Sequence, residues 1–207
     1  MIKSVPLESE ADERAEGKGN RVALKIGGYF YCMLSVRELE AADLPNIIDY
    51  WTSASAEHLG GMGVDVSKMP SVGQWNEMLA DQLAQPYELK ESYCLIWELE
   101  GQPIGHCNVT NIVFGEQAYM HLHVWNPADR GMGYGSNLVQ LSIPYFFRNL
   151  KLQRLFSAPY ALNPAPNRTL ERAGFRFVKE YTGIPGSFSF EQQAKLWKVG
   201  REQFIDN

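Results

Sequence analysis

The sequence lacks the features that mark several large classes of protein. Its three cysteines, Cys32, Cys94 and Cys107, stand singly without CxxC spacing, which excludes a full disulfide framework and a cysteine-rich zinc cluster. Acidic residues outnumber basic ones by 24 to 19, so neither nucleic acid nor an anionic membrane is expected as the main partner. No apolar run approaches membrane-spanning length, and residues 1–21 lack the apolar centre of a signal peptide. We therefore expect a cytoplasmic protein.

The apolar content is sufficient for one sizeable core. Of the 207 residues, 45% are hydrophobic and 12% are aromatic. Residues 1–25 are polar and rich in glutamate, with few side chains to bury. The sequence thus predicts a mobile N-terminal tail over residues 1–25 and a single domain over residues 26–207.

Hydrophobic periodicity indicates alternating strands and helices. Strand patterns cover residues 29–37, 92–99, 103–114, 118–125, 154–160 and 175–181, and helical patterns cover residues 40–51, 75–83, 137–150 and 166–173. Short turns join the strands between residues 92 and 125 into an antiparallel meander. Two strand-helix-strand units follow, so we expect a mixed α/β (α+β) fold with a central, mostly antiparallel sheet flanked by helices.

One segment, Arg130-Gly-Met-Gly-Tyr-Gly-Ser136, carries the clearest chemical signal. It lies between a predicted strand and a predicted helix. Alternating glycines let successive backbone amides point into one concavity, and the start of the helix adds unpaired N–H groups and a positive dipole end. The segment therefore predicts a cradle for phosphate oxygens, with the Arg130 cation at its mouth.

Three other types of loop share features with this segment. A glycine cluster between a strand and a helix can be only a tight turn. A dinucleotide loop of the G-x-G-x-x-G type fits Gly131 and Gly133, but Ser136 stands where the third glycine belongs and no acidic residue follows about twenty positions later. A P-loop is excluded, because no Gly-Lys-Ser/Thr follows.

The loop resembles the pyrophosphate loop of the GNAT superfamily of N-acetyltransferases, (Gln/Arg)-x-x-Gly-x-(Gly/Ala). Its Arg-Gly-x-Gly-Tyr-Gly form is similar to that of the bacterial enzymes that acetylate the N-termini of ribosomal proteins. A second block, Asn163-Pro-Ala-Pro-Asn-Arg-Thr-Leu-Glu-Arg-Ala-Gly-Phe175, resembles the Asn-x-x-Ser-x-x-x-Leu-Glu-(Lys/Arg)-x-Gly-Phe of the same subfamily. The resemblance implies acetyl-CoA as the cofactor.

The resemblance also implies which residues contact coenzyme A. The strand before the loop should splay from its neighbour, so that the backbone of Val124, Trp125 and Asn126 bonds the pantetheine arm and the acetyl carbonyl. The side chain of Asn163 should meet the pantetheine, or else be a turn residue, and Asn167 should contact the cofactor or cap the helix. The loop itself contributes Arg130, Gly131, Met132, Gly133, Tyr134, Gly135 and Ser136.

Two histidines on the strand before the loop are candidates for proton transfer. Strand alternation places His121 and His123 on one face, where a histidine can take the proton of the attacking amine. The alternative is that both histidines only shape the pocket. Two ligands without a nearby third do not indicate zinc, so no metal is expected.

The proton donor for the leaving thiolate is not apparent in the sequence. The resemblance implies a tyrosine at the position of Leu170, or a serine at the position of Pro166 in the ribosomal-protein subfamily, and neither hydroxyl is present. Tyr160, Ser157 and Tyr134 remain as substitutes, and water is another.

The function expected from these features is transfer of acetyl from acetyl-CoA to a primary amine, for which the N-terminal amino group of a protein is one candidate. The acceptor should enter between residues 51–69 and residues 182–193, where Trp51, Phe188 and Phe190 line the mouth. Alternatives are a small amine, such as an aminoglycoside or a polyamine, and a non-catalytic acyl-CoA sensor of the same fold. The oligomeric state is not fixed by the sequence.

Overall fold

A sheet of eight strands forms the middle of the computed structural model, which describes residues 20–26 and 30–205. The strands are Asn20–Ile26 (β1), Phe30–Glu38 (β2), Tyr93–Leu99 (β3), Gln102–Val113 (β4), Gln117–Val124 (β5), Arg154–Ser157 (β6), Arg176–Gly183 (β7) and Gln192–Gly200 (β8). They lie side by side in the order β1-β2-β3-β4-β5-β6-β8-β7.

The α-helices of the described residues cover the faces and one end of this sheet. They are Leu44–Ser53 (α1), Ala56–Gly61 (α2), Val72–Ala84 (α3), Gly135–Asn149 (α4), Pro164–Arg172 (α5) and Glu202–Ile205 (α6). A capping box starts α3, because the side chains of Ser71 and Gln74 each accept the other's backbone N–H. Within residues 20–26 and 30–205, no helix combines the length and the apolar character needed to cross a membrane.

The strand connections produce a mixed sheet, as the sequence predicted. Strands β1 to β5 form an antiparallel meander. The chain then crosses through α4 to β6, which pairs with β5 in parallel from Gln117 opposite Arg154 to Tyr119 opposite Phe156. Strand β8 lies between β6 and β7 and is antiparallel to both.

Four of these strands and helices were not predicted from the sequence: β1, α2, β8 and α6. Residues 20–25 were assigned to the tail, but Asn20–Ile26 pairs with β2 and Val22 packs against the core. The Asn20 backbone N–H also donates to the Tyr145 hydroxyl at 3.3 Å. The remainder of the predicted tail, residues 1–19, lies outside the described residues.

Apolar layers cover both faces of the sheet. On one face, α4 packs on Leu95 and Trp97 of β3, and the Trp97 indole donates to Ser142 Oγ at 2.9 Å. On the other face, α1 and α3 pack on Cys94 and Ile96 of the same strand. A strand that is buried on both faces has a continuous run of apolar residues in its sequence. Residues Tyr93–Trp97 form such a run.

A carboxylate fastens the end of β2 to three other parts of the chain. Glu38 Oε1 accepts hydrogen bonds from Tyr87 Oη, Tyr93 Oη and Asn149 Nδ2, each at 2.7 Å. Burial, followed by the bond to Glu38, raises the pKa of Tyr87 to about 12. Both phenols therefore stay protonated as donors, and the cluster ties β2, β3 and the end of α4 together.

Removal of this acceptor should destabilise the fold. We expect Glu38→Ala to lower the free energy of unfolding by about 2–3 kcal/mol, because two phenols and an amide lose a charged acceptor. Urea denaturation measures the change. Glu88→Ala, at an exposed position beside Tyr87, is the control and should change stability by less than about 0.5 kcal/mol. Equal stability of the two variants would contradict the structural role of Glu38.

Candidate active site

The divergence of β5 from β6 opens a cleft of about 1560 Å³. Their pairing ends at Tyr119 and Phe156, although β5 continues to Val124. Beyond this point, Ser157 Oγ donates to Met120 O at 2.8 Å in place of a backbone partner. The predicted splayed strand pair is thus formed by β5 and β6.

The open side of β5 presents backbone groups to the cleft. The Trp125 N–H donates to Ile104 O at 2.9 Å on β4, whereas Met120 O accepts from the β6 side. Backbone groups alternate between the two sides of a strand, so the N–H groups of Leu122 and Val124 face the gap. An extended ligand with amide groups can bond to this edge as a missing strand would.

The glycine loop has the conformation that an anion cradle requires. Gly131 and Gly133 have φ values of 74° and 86°, in the left-handed region that favours glycine. Helix α4 follows Tyr134, whose side chain makes no capping bond, so the first N–H groups of the helix remain available to an anion. All seven predicted loop residues, from Arg130 to Ser136, line the cleft.

Arg130 differs from its predicted role as a cation at the mouth of the loop. Its Nε and one terminal nitrogen donate to Val124 O and Trp125 O, both at 3.0 Å, and the other terminal nitrogen lies 3.3 Å from His58 Nδ1. The guanidinium therefore folds back onto the end of β5. There it holds the strand end and α2 together.

Trp125 and Asn126, whose backbone was predicted to bond the cofactor, both have partners within the protein. The backbone N–H of Trp125 is bonded to Ile104, and its indole donates to His106 Nδ1 at 2.7 Å. Asn126 Oδ1 accepts the Ala128 N–H at 3.0 Å and so closes a turn. Of the three predicted backbone positions, Val124 lines the cleft.

The two asparagines of the second block have separate positions. Asn163 lines the cleft and caps α5, its Oδ1 accepting the Ala165 N–H at 3.3 Å. Asn167 is buried: it donates to Tyr160 O at 3.1 Å and accepts from the Trp197 indole at 2.8 Å. These bonds occupy the Asn167 side chain, which corrects its predicted contact with the cofactor and its alternative role as a cap.

Three histidines stand together on β4 and β5 beside the open edge. His106 and His123 are opposite each other in the register, and their rings stack with centroids 4.6 Å apart. His121 Nε2 lies 2.9 Å from Thr110 Oγ1. Among the described residues, no group of three or more His, Cys, Asp or Glu side chains has the geometry of a metal site.

The surroundings keep these histidines neutral. The Trp125 indole donates to His106 Nδ1, so that nitrogen carries no proton, and burial lowers the pKa of His106 to about 3. Burial also lowers the pKa of His121 to about 4. Burial, with a contribution from His106, places the pKa of His123 well below its usual value.

Two further residues of this cluster were not identified from the sequence. The Tyr50 hydroxyl lies 3.3 Å from His123 Nδ1, and the Tyr50 ring is within 6.2 Å of His58. The helical spacing from Ile47 to Tyr50 was a usable signal for the tyrosine. No signal in the sequence identified His58, because its role depends on the Arg130 side chain that contacts it.

The two segments that were predicted to flank the acceptor entrance contact each other. Val64 pairs with Ser189 in an isolated bridge, and Asp65 N donates to Phe188 O at 2.7 Å. The rings of Trp51 and Trp75 stack at 5.8 Å, and Phe188 packs on Trp75 at 5.5 Å.

Phe190 differs from its predicted place at this entrance. Its ring packs on Tyr160 with centroids 6.0 Å apart. Trp51 and Phe188 line the cleft, so they are the aromatic residues of the predicted set that an acceptor can meet.

Comparisons with known proteins agree with this geometry. The Acetyltransferase (GNAT) domain family model matches residues 34–176. No curated protein sequence matches the chain. Spermidine N-acetyltransferase from Vibrio cholerae, in complex with CoA and spermine, has a similar fold, with a TM-score of 0.68 and 16% identity over 83% of this chain and 98% of that one.

Two other solved structures share the fold. Mycobacterium smegmatis RimJ, in complex with CoA-disulfide, has a TM-score of 0.68 and 15% identity over 84% of each chain. Ribosomal-protein-S5-alanine acetyltransferase from Vibrio fischeri has a TM-score of 0.65 and 18% identity over 88% of this chain and 98% of that one. With a family model that spans most of the sequence, this chain belongs to the GNAT family of acetyl-CoA-dependent N-acetyltransferases.

Proposed function

We propose that the acceptor of this N-acetyltransferase is an α-amino group at the N-terminus of a protein or peptide. The observation that carries the proposal is the neutral character of the histidine cluster beside the open edge of β5. The side chains hydrogen-bonded to its four histidines are Tyr50, Thr110, Trp125 and Arg130, none of which is anionic. Such a site favours an amine that is already neutral.

The ordinary pKa values of amines distinguish the two main acceptor classes. An α-amino group has a pKa of about 7.7–8.0, so about one in ten is neutral at pH 7. An alkylamine with a lysine-like pKa of about 10.4 is neutral in only about one molecule in 2,500. A protonated polyamine would need a nearby carboxylate or would lose its proton at considerable cost. The ribosomal-protein-S5-alanine acetyltransferase that shares this fold acts on a protein, which is consistent with the proposal.

The residues on the cofactor side fit coenzyme A. When bound, acetyl-CoA supplies a thioester whose carbonyl carbon an amine can attack. We assign the pyrophosphate to the Gly131–Ser136 amides and the pantetheine amides to the Leu122 and Val124 edge. Asn163, at the start of α5, lines the same cleft and is the side chain that we assign to the pantetheine.

We assign to His123 the role of accepting the proton of the attacking amine. His121 lies two residues before it on the same strand. His121 Nε2 is already bonded to Thr110, whereas His123 directly precedes Val124 at the end of the open edge. Both histidines are unprotonated at neutral pH, because burial holds their pKa values low.

The three cysteines support a cytoplasmic location for this reaction. Cys32, Cys94 and Cys107 are all free, and the last two are buried. Burial raises the pKa of both buried thiols, so they are poor nucleophiles. Unpaired cysteines are typical of a reducing compartment.

An acceptor panel tests the proposed function. Thiol release from acetyl-CoA is measured with peptides that differ in their N-terminal residue, with N-terminally blocked peptides that contain lysine, and with spermidine. We expect kcat/KM to be highest for free N-terminal peptides. A preference for spermidine would favour a polyamine acceptor, for which the exposed, cleft-lining carboxylates of Asp81 and Glu91 would be the binding groups.

Gly133 should be necessary for cofactor affinity. We expect Gly133→Val to weaken acetyl-CoA binding tenfold or more, about 1.4 kcal/mol, because a β-branched residue is strained at a φ of 86°. Isothermal titration calorimetry on the folded variant measures the change. Gly73→Val, on an exposed part of α3 with open space around it, is the control for folding. Unchanged affinity in Gly133→Val would remove the assignment of the loop.

His123 should be required for turnover and not for cofactor binding. We expect His123→Ala to lower kcat/KM for the acceptor by about 10²-fold, the usual scale for a lost proton acceptor, and His121→Ala to have a smaller effect. Because the pKa of His121 is about 4 and that of His123 is also low, kcat/KM should rise with pH up to the pKa of the amine, with no break near 6.5. A histidine-like break that disappears in His123→Ala would contradict the low pKa of that residue.

A further inference from the structure

We propose that Tyr50 is the proton donor to the sulfur of coenzyme A, and that His123 replaces the proton that Tyr50 gives up. This inference rests on the proposed function, because it assigns the amine proton to His123. It deepens that function by identifying a catalytic acid on α1. The resemblance to the GNAT superfamily implied an acid at the position of Leu170 or Pro166. The two side chains would form a continuous path from the attacking amine to the leaving thiolate.

The positions where the family has its acid do not provide one, because Leu170 and Pro166 have no hydroxyl. The Ser157 hydroxyl donates to Met120 O, and Tyr134 lies in the loop that we assign to the pyrophosphate. Two other cleft-lining phenols remain. Tyr160 packs on Phe190, whereas Tyr50 contacts His123 and so adjoins the group to which we assign the amine proton.

Tyr50 lies on the wall of the cleft. Its side chain extends from α1 into the histidine cluster, where only 7% of the residue is exposed. The Tyr50 ring centroid is 5.5 Å from that of His123, 5.7 Å from that of His106 and 5.2 Å from that of Trp51. Tyr50 and Val124 line the same cleft, so the hydroxyl shares its space with the open edge of β5.

Tyr50 connects two neighbouring side chains through its hydroxyl. The hydroxyl lies 3.3 Å from Met62 Sδ and 3.3 Å from His123 Nδ1, and the direction of the second contact depends on the tautomer of His123. The proposed path uses the tautomer in which Nδ1–H donates to the Tyr50 oxygen. In that tautomer His123 Nε2 carries a lone pair, which is the state that a proton acceptor requires.

The neighbouring side chains keep the tyrosine protonated. Burial raises the pKa of Tyr50 to about 12. His106 is held neutral by the Trp125 indole. His58 is held neutral in the same way, because a guanidinium can only donate and Arg130 contacts His58 Nδ1. The phenol is therefore available as a donor throughout the neutral pH range.

The step balances within this set of groups. The amine lone pair forms a bond to the thioester carbon, and the carbonyl electron pair moves to oxygen. As that pair returns, the C–S bond breaks and its electrons remain on sulfur. The amine N–H proton passes to His123 Nε2, the His123 Nδ1 proton passes to the Tyr50 oxygen, and the Tyr50 proton passes to sulfur. The products are the N-acetyl amine and the free thiol.

The first test is the protonation state of His123 in the free protein. Nitrogen-15 NMR of histidine-labelled protein distinguishes the two neutral tautomers, and His123→Asn assigns the resonance. We expect the Nδ1–H tautomer at neutral pH. An Nε2–H tautomer would overturn the proposed path, because Nε2 would have no lone pair to receive the amine proton. This measurement needs no activity.

The second test is kinetic. We expect Tyr50→Phe to lower kcat by about 10²-fold while the acetyl-CoA dissociation constant from calorimetry stays unchanged. Tyr119→Phe is the matched control, because Tyr119 is on β5, stacks on Phe156 and is not part of the cleft wall. A Tyr50→Phe enzyme with parental kcat would overturn the proposal.

A third variant separates proton donation from packing. Incorporation of a fluorinated tyrosine at position 50 keeps the ring and the hydroxyl but lowers the pKa of the phenol. We expect kcat to fall on the alkaline side at a lower pH than in the parent, since the ionised phenol has no proton to donate. An unshifted alkaline limb would overturn the acid role.

A parent enzyme that acetylates no amine would overturn the proposed function together with this path. An active parent with an unaffected Tyr50→Phe variant would overturn the path alone.

Discussion

The active cleft depends on one interrupted strand pairing, that of β5 with β6. A parallel ladder can continue only while both strands offer N–H and C=O groups at the right spacing. Strand β6 ends at Ser157, and Pro159, which has no N–H, follows two residues later. Tyr160 then pairs with Ala194 of β8. The chain after β6 thus leaves β5, whose last residues keep a free edge for a ligand.

A second constraint is the electrostatic neutrality of the histidine cluster. Four histidines in a confined space would repel one another if they were charged, and burial already disfavours the charged forms. Two hydrogen-bond donors keep two of these histidines neutral. The Trp125 indole donates to His106, and the Arg130 guanidinium donates to His58. Arg130 thereby connects the end of β5 to α2.

The sequence predicted most of the sheet because local patterns dominate there. Strands β2 to β5 alternate or run apolar between clear turns, and the loop before α4 has glycines that few other structures require. Strand β8 was missed because Gln192, Gln193, Lys195 and Lys198 interrupt its apolar pattern. Strand β1 was missed because the pairing with β2 that stabilises it is a tertiary contact, which polar composition does not reveal.

The site was predictable only where backbone geometry determines the chemistry. Glycine spacing indicated the loop, and strand alternation placed His121 and His123 on one face. The partners that Trp125, Asn126 and Asn167 have within the protein, a histidine, a turn amide and a second indole, could not be predicted, because each depends on side chains brought together by the fold. Tyr50 lies 73 residues before His123, and His58 lies 72 residues before Arg130, so only packing brings them together.

The position of β8 also has a consequence for folding. The described strand nearest the C-terminal end is inserted between β6 and β7, so two interior edges stay unpaired until it arrives. Strand β7 meets β8 in a local hairpin, whereas β6 precedes its partners on β8 by 40 to 46 residues, from Ser157 and Trp197 to Arg154 and Gly200. Until β8 pairs, Gln192 and the Ala194 partner of Tyr160 are missing from one wall of the cleft. A chain in this state would have an open edge at β6 beside an incomplete cleft, and such an edge is a template for association with other chains.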